Sequence, residues 1–138
     1  MKRLHIHIGI DDLQQGIQFY SSLFDTAPDK VKDDYAKWML DDPRINFAIS
    51  THTATRGVDH LGLQVDAPEE MSALRAQFER EGLGVQHEGE TQCCYAQSDK
   101  SWLHDPSGVA WETFVSTADV EAPSAATVGC DAHCATQR

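Results

Sequence analysis

The sequence predicts an α+β fold: two βαβββ modules whose strands form one curved mixed sheet around a metal site, with the helices outside. Three observations predict it. First, Leu4, Ile6, Ile8 and Ile10 alternate with His5, His7 and Gly9, the period of two that marks a half-buried strand. Second, the pattern returns about 55 residues later, where Asp59-His60-Leu61-Gly62-Leu63-Gln64-Val65-Asp66 aligns with Leu4-His5-Ile6-His7-Ile8-Gly9-Ile10-Asp11. Third, an amphipathic helical segment follows each copy.

Taking the elements in order, Asp11-Asp12 offers an N-cap, and Leu13, Ile17, Tyr20 and Phe24 follow at helical spacing. That helix should end before Pro28. Strands are expected around Tyr35–Leu40 and Ile45–Ser50, joined by a turn at Asp41-Asp42-Pro43, with residues Thr51–Gly57 as a linker. In the second copy Pro68 and Glu69 begin a helix whose apolar face is Met71, Leu74 and Phe78, and Gly82 stops it. Trp102-Leu103-His104-Asp105-Pro106 then echoes Trp38-Met39-Leu40-Asp41-Asp42-Pro43, and Thr113-Phe114-Val115-Ser116 echoes Phe47-Ala48-Ile49-Ser50. The expected organisation is one domain over 1–116, with modules of about 1–52 and 57–116. A flexible tail rich in small residues follows at 117–138 and carries Cys130 and Cys134.

The totals narrow the function. A formal net charge of −11 opposes nucleic-acid binding, which needs clustered Lys and Arg. No apolar run reaches the ~20 residues of a membrane span, and the N-terminus lacks a signal peptide's apolar core, so a cytoplasmic protein is expected. Four cysteines in a reducing compartment read as thiols.

The polar face of the first strand carries His5, His7 and Gly9, and its copy carries His60, Gly62 and Gln64. Such a face suggests a cavity. In the last strand Glu112 stands among apolar neighbours, a costly place for a carboxylate unless it is paired or binds a metal. His5, His60 and Glu112 are therefore three candidate ligands on three strands. Two imidazoles and a carboxylate with open positions suit non-haem Fe(II), and Zn, Mn, Co or Ni would also accept them. His7 shares the face of His5 and is either the ligand in its place or an outer partner. The first-copy counterpart of Glu112 is expected near Asn46 or Phe47, neither an obvious ligand.

Thr91-Gln92-Cys93-Cys94-Tyr95 adds a vicinal cysteine pair. Consecutive strand residues face opposite ways, so Cys93 and Cys94 act together only from a loop or bulge. Packing, a redox pair and a clamp for a soft ligand are the alternatives. The clamp has a specific chemical fit: in R–As(OH)₂ two thiolates replace the two oxygens and leave the R–As bond intact. The same clamp would hold Cd²⁺ or As(III) without catalysis.

The doubled unit, with His5 in Leu4-His5-Ile6, His60 in Val58-Asp59-His60-Leu61-Gly62 and Glu112 in Ala110-Trp111-Glu112, resembles the vicinal oxygen chelate superfamily. That superfamily includes glyoxalase I, extradiol dioxygenases and fosfomycin resistance enzymes. The segment from Thr91 to Ala96 together with Asp99-Lys100-Ser101-Trp102 is similar to organoarsenical carbon–arsenic lyases and the related cadmium-induced proteins. The resemblance covers roughly residues 3 to 116. It implies Fe(II)- and O₂-dependent cleavage of methyl or aryl groups from trivalent organoarsenicals, giving arsenite. His5, His60 and Glu112 would hold the metal and Cys93 and Cys94 the arsenic. Cys130 and Cys134 either hand metalloid to the site as accessory thiols or are incidental thiols of the tail. Some relatives place Gln where this chain has His5. Two other classes fit the residues: a non-catalytic Cd/As(III)-binding resistance protein, and another metal-dependent enzyme of glyoxalase or dioxygenase type. Related folds build the site within one chain or across a homodimer.

Overall fold

The computed structural model describes residues 1–93 and 96–119. Its elements run β1 (Arg3–Gly9), α1 (Leu13–Phe24), β2 (Lys30–Lys32), β3 (Tyr35–Asp41), β4 (Arg44–Ser50), β5 (Gly57–Val65), α2 (Pro68–Arg80), β6 (Gln86–Cys93), β7 (Ala96–His104) and β8 (Ala110–Asp119). This is the βαβββ unit twice over. The eight strands form one mixed sheet in the order β2-β3-β4-β1-β5-β8-β7-β6. Each module brings a parallel pair, β1 with β4 and β5 with β8, and the modules join by antiparallel pairing of β1 with β5.

Local chemistry explains the helix ends. Asp12 caps α1 by accepting a hydrogen bond from the Gln15 backbone N–H at 2.9 Å, and the helix ends on Asp25 in the left-handed conformation. Pro68 opens α2 where no N–H is needed, with Glu69 and Glu70 in its first turn and Arg80 in its last. Both helices lie on the convex side. There Leu13, Ala36, Trp38, Phe47 and Ile49 form the core of the first module, backed by Ile6, Ile8 and Ile17. Val65, Met71, Leu74, Phe78 and Val115 form that of the second. Each half thus buries its own apolar face.

Two expectations shift. The more buried face of β1 is the polar one, Arg3, His5, His7 and Gly9, whereas Leu4 on the apolar face is 36% exposed. The sheet curves over its polar side, so curvature and not hydropathy decides which face water leaves. In addition, β8 runs to Asp119, past the expected boundary at 116, because Ala118 and Asp119 pair with Gln97 and Ala96.

Trp38 is fully buried, and its indole N–H donates to the Thr26 carbonyl at 3.1 Å. Trp38→Ala should cost about 3–5 kcal/mol, seen as a lower urea midpoint at unchanged slope.

Candidate metal centre

Register alone assembles the centre. Across the concave face His5 pairs with Gly62 and Gly62 with Glu112, while His7 pairs with His60. The missing side chain of Gly62 lets β5 and β8 approach: a Cβ there would stand 2.4 Å from the Glu112 carbonyl oxygen. In the first module the same sheet position belongs to Ala48, paired with His7. The counterpart of Glu112 is therefore Ala48 and not Asn46 or Phe47, and it offers no ligand atom.

The functional atoms converge. His5 Nε2 and His60 Nε2 are 3.1 Å apart, and Glu112 Oε2 lies 3.6 Å from the first and 3.3 Å from the second. All three residues are buried. Their outer atoms are tied down. His5 Nδ1 faces the Asn46 backbone carbonyl at 3.0 Å, an acceptor only, so Nδ1 carries the proton and Nε2 presents its lone pair inward. His60 Nδ1 likewise faces Asp59 Oδ2 at 2.8 Å. Lys100, buried, binds Glu112 Oε1 and turns Oε2 toward the imidazoles. With both imidazoles neutral and protonated on Nδ1, three acceptors point at one spot, an arrangement suited to a cation. The point equidistant from them is about 2 Å from each, the bond length of a first-row divalent ion to nitrogen or oxygen. His5, His7 and His60 also place one ring nitrogen each within 4.8 Å of the others. The aromatic rings of Phe114 and Trp102 stand 5.3 Å from His5 and 5.2 Å from His60, walling the centre with apolar surface.

Burial, then the nearby His60 charge, lower His5 to a pKa of about 4. Burial and the same neighbouring imidazoles hold His7 well below the usual histidine range. Burial acts to lower His60 too, but hydrogen bonds to Asp59 and Glu112 outweigh it and leave the group raised. Burial opposes ionisation of Glu112, yet Lys100 and the two imidazoles hold it well below the carboxylate range.

Sequence reasoning missed Asp59 and Lys100. Strict alternation puts Asp59 on the face away from His60. A bulge shifts the register between His7–His60 and Ile8–Val58, leaving Asp59 as the extra residue and letting it reach its own neighbour. Lys100 reaches Glu112 only through the β7–β8 register, which sets it in the next pair on the same face after the Trp102–Glu112 match. Of the other candidates, Cys93 ends β6 and pairs with Ala96 at the start of β7. Cys94, Cys130 and Cys134 lie outside the described residues. His52 bonds Asp34, His87 bonds Ser101, and His104 is exposed, so none joins the centre.

The family model for the Glyoxalase/Bleomycin resistance protein/Dioxygenase superfamily matches residues 2–113. The chain belongs to this superfamily. Among its relatives it is 41% identical over 124 residues to the "Trivalent organoarsenical cleaving enzyme" of Bacillus sp. (strain MD1), covering 88% of this chain and 77% of that one. It is 35% identical over 122 residues to the cadmium-induced protein of Mycobacterium bovis, covering 88% and 80%. The fold of an extradiol ring-cleaving dioxygenase from B. fuscum superposes with a TM-score of 0.61 at 16% identity, covering 86% of this chain and 34% of that one. Among the described residues no helix is long and apolar enough to cross a membrane. A superfamily member with three clustered histidines has the makings of a divalent-metal protein.

Two outcomes are expected. Gly62→Val should force β8 away from β5 and lower divalent-metal affinity by at least tenfold, measured by titration calorimetry. In metal-free protein, His5, His7 and Glu112 have depressed pKa values, so the stability they contribute is lost on acidification; raised His60 acts oppositely. The urea midpoint should therefore fall as pH drops from about 6.5 toward 4, the window between the ordinary histidine value and that of His5.

Proposed function

We propose that this protein cleaves the carbon–arsenic bond of trivalent organoarsenicals, using Fe(II) and dioxygen and releasing arsenite. One observation carries the reading. His5 Nε2, His60 Nε2 and Glu112 Oε2 converge within 3.6 Å of one another, in a chain 41% identical to a relative named for that cleavage.

In this reading His5, His60 and Glu112 hold the metal through those inward atoms. Cys93 and Cys94 are the arsenic ligands, their thiols replacing the two hydroxyls of R–As(OH)₂ and the two thiol protons leaving with them as two waters. An Fe(II) ion bound by the three residues would supply the electron-transfer chemistry that brings dioxygen to the carbon–arsenic bond. The protein's own groups set the conditions. Asp59 and the Asn46 carbonyl fix the two imidazole tautomers, Lys100 offsets the carboxylate charge, and Phe114 and Trp102 keep water out. For a methyl substrate the atoms balance as CH₃As(OH)₂ + O₂ → CH₂O + As(OH)₃. The thiols this requires persist in a reducing cytoplasm, to which the reading assigns the protein.

The likeness to a cadmium-induced protein supports a second reading, a non-catalytic binder of Cd²⁺ or As(III). One experiment separates them. Anaerobic, Fe(II)-loaded protein receives the trivalent methylarsenical, and air is then admitted. The lyase forms arsenite and formaldehyde one-to-one, and Cys93→Ser, Cys94→Ser and Glu112→Gln each lower the rate by at least 100-fold. A binder forms no arsenite in air, and its stoichiometric arsenic binding survives Glu112→Gln but not Cys93→Ser. A glyoxalase-type enzyme would need Glu112 and tolerate loss of Cys93.

Asp59→Asn should weaken metal binding by about 10–100-fold, the usual cost of removing an outer partner, while leaving the fold intact by circular dichroism.

A further inference from the structure

His7 is a buried imidazole that the three-ligand arrangement does not use. It is 2% exposed, stands directly opposite His60 across β1 and β5, and has only the Ser50 hydroxyl, 2.8 Å from its Nε2, as hydrogen-bond partner among the described residues. The repeat that superposes His5 on His60 superposes His7 on Gly62. The second module therefore leaves this position without a side chain, and the first fills it with a donor.

Ring spacing shows what that donor can do. With a metal–nitrogen bond of about 2.1 Å and the ring centre about 1.1 Å further out, two imidazoles on one ion have centroids about 4.5 Å apart at right angles and about 6.4 Å apart when opposite. The centroid of His60 is 5.1 Å from that of His5 and 4.9 Å from that of His7, while His5 and His7 are 6.2 Å apart. These distances match three imidazoles around one centre, His60 beside each of the others and His5 opposite His7. The donor nitrogens, all within 4.8 Å of each other, agree.

The geometry points to His7 as a fourth protein ligand, so that the bound ion has three imidazoles and one carboxylate and keeps two open positions instead of three. This rests on the metal site proposed above. Ser50 is the holder of His7 in the absence of metal: its hydroxyl occupies the ring nitrogen until that hydrogen bond is exchanged for a metal–nitrogen bond. With arsenic held by thiols and not by the ion, two open positions are enough for dioxygen and a water.

The test uses Co(II) added to the full-length metal-free protein, followed by X-ray absorption at the cobalt edge and competition with a chelator. Three imidazole scatterers per cobalt are expected in the wild type and two in His7→Gln, with affinity at least tenfold weaker in the variant. Two imidazoles in the wild type, or a His7→Gln spectrum identical to wild type, would overturn the fourth-ligand assignment and leave the His5–His60–Glu112 site standing. Failure of the wild type to take up one Co(II), or uptake unaffected by His60→Ala and Glu112→Gln, would overturn the site itself and this inference with it. The wild-type count needs no variant to fold.

Discussion

The antiparallel pairing of β1 with β5 is the constraint on which the rest of the centre depends. It sets His7 opposite His60 and His5 opposite Gly62, and its bulge brings Asp59 beside the ring it orients. The parallel pairs then add the remaining parts without freedom of choice, Glu112 beside Gly62 and Asn46 beside His5. A slip of one residue in this pairing would turn the donors of one module to the face opposite those of the other.

Such a cluster is costly to bury, and its composition shows how the cost is met. Every imidazole has a partner on the nitrogen that faces away from its neighbours or toward β4, and the carboxylate of Glu112 has an ammonium. The charges do not cancel, however. Two buried carboxylates, Asp59 and Glu112, stand against one buried ammonium, Lys100. Hydrogen bonds to Asp59 and Glu112, and then their charges, are what raise His60 against its burial: in the absence of any other cation, a proton is what the site attracts. Metal and proton are thus competitors for one position.

Much of this was legible in the sequence, and for a single reason. A period of two marks both strands, and the repetition of that period with His at the same place ties His5 to His60 in the sequence itself. The carboxylate in an apolar strand added Glu112. What failed was anything that depends on departure from the ideal pattern. Asp59 was hidden by a bulge, Ala48 by an offset of two residues between the repeated pairings, and the burial of the polar face by the bend of the sheet. Lys100 was visible as a lysine, but its proximity to Glu112 depends on the β7–β8 register, to which the sequence offers no independent clue.

The two hydrophobic clusters described above do not merge: one lies under α1 and the other under α2. Between them the halves are joined by backbone pairing, by polar contacts such as Arg44–Asp66 and Asn46–Gln64, and by the donors themselves, with His5 and His7 contributed from one side and His60 and Glu112 from the other. An ion at their meeting point would act as a rivet through a seam. Its binding free energy would be added to the cohesion of the halves, and metal supply would set how tightly they are held together. Neither half alone has a complete set of donors, so the protein's chemistry belongs to the joint and to no single module.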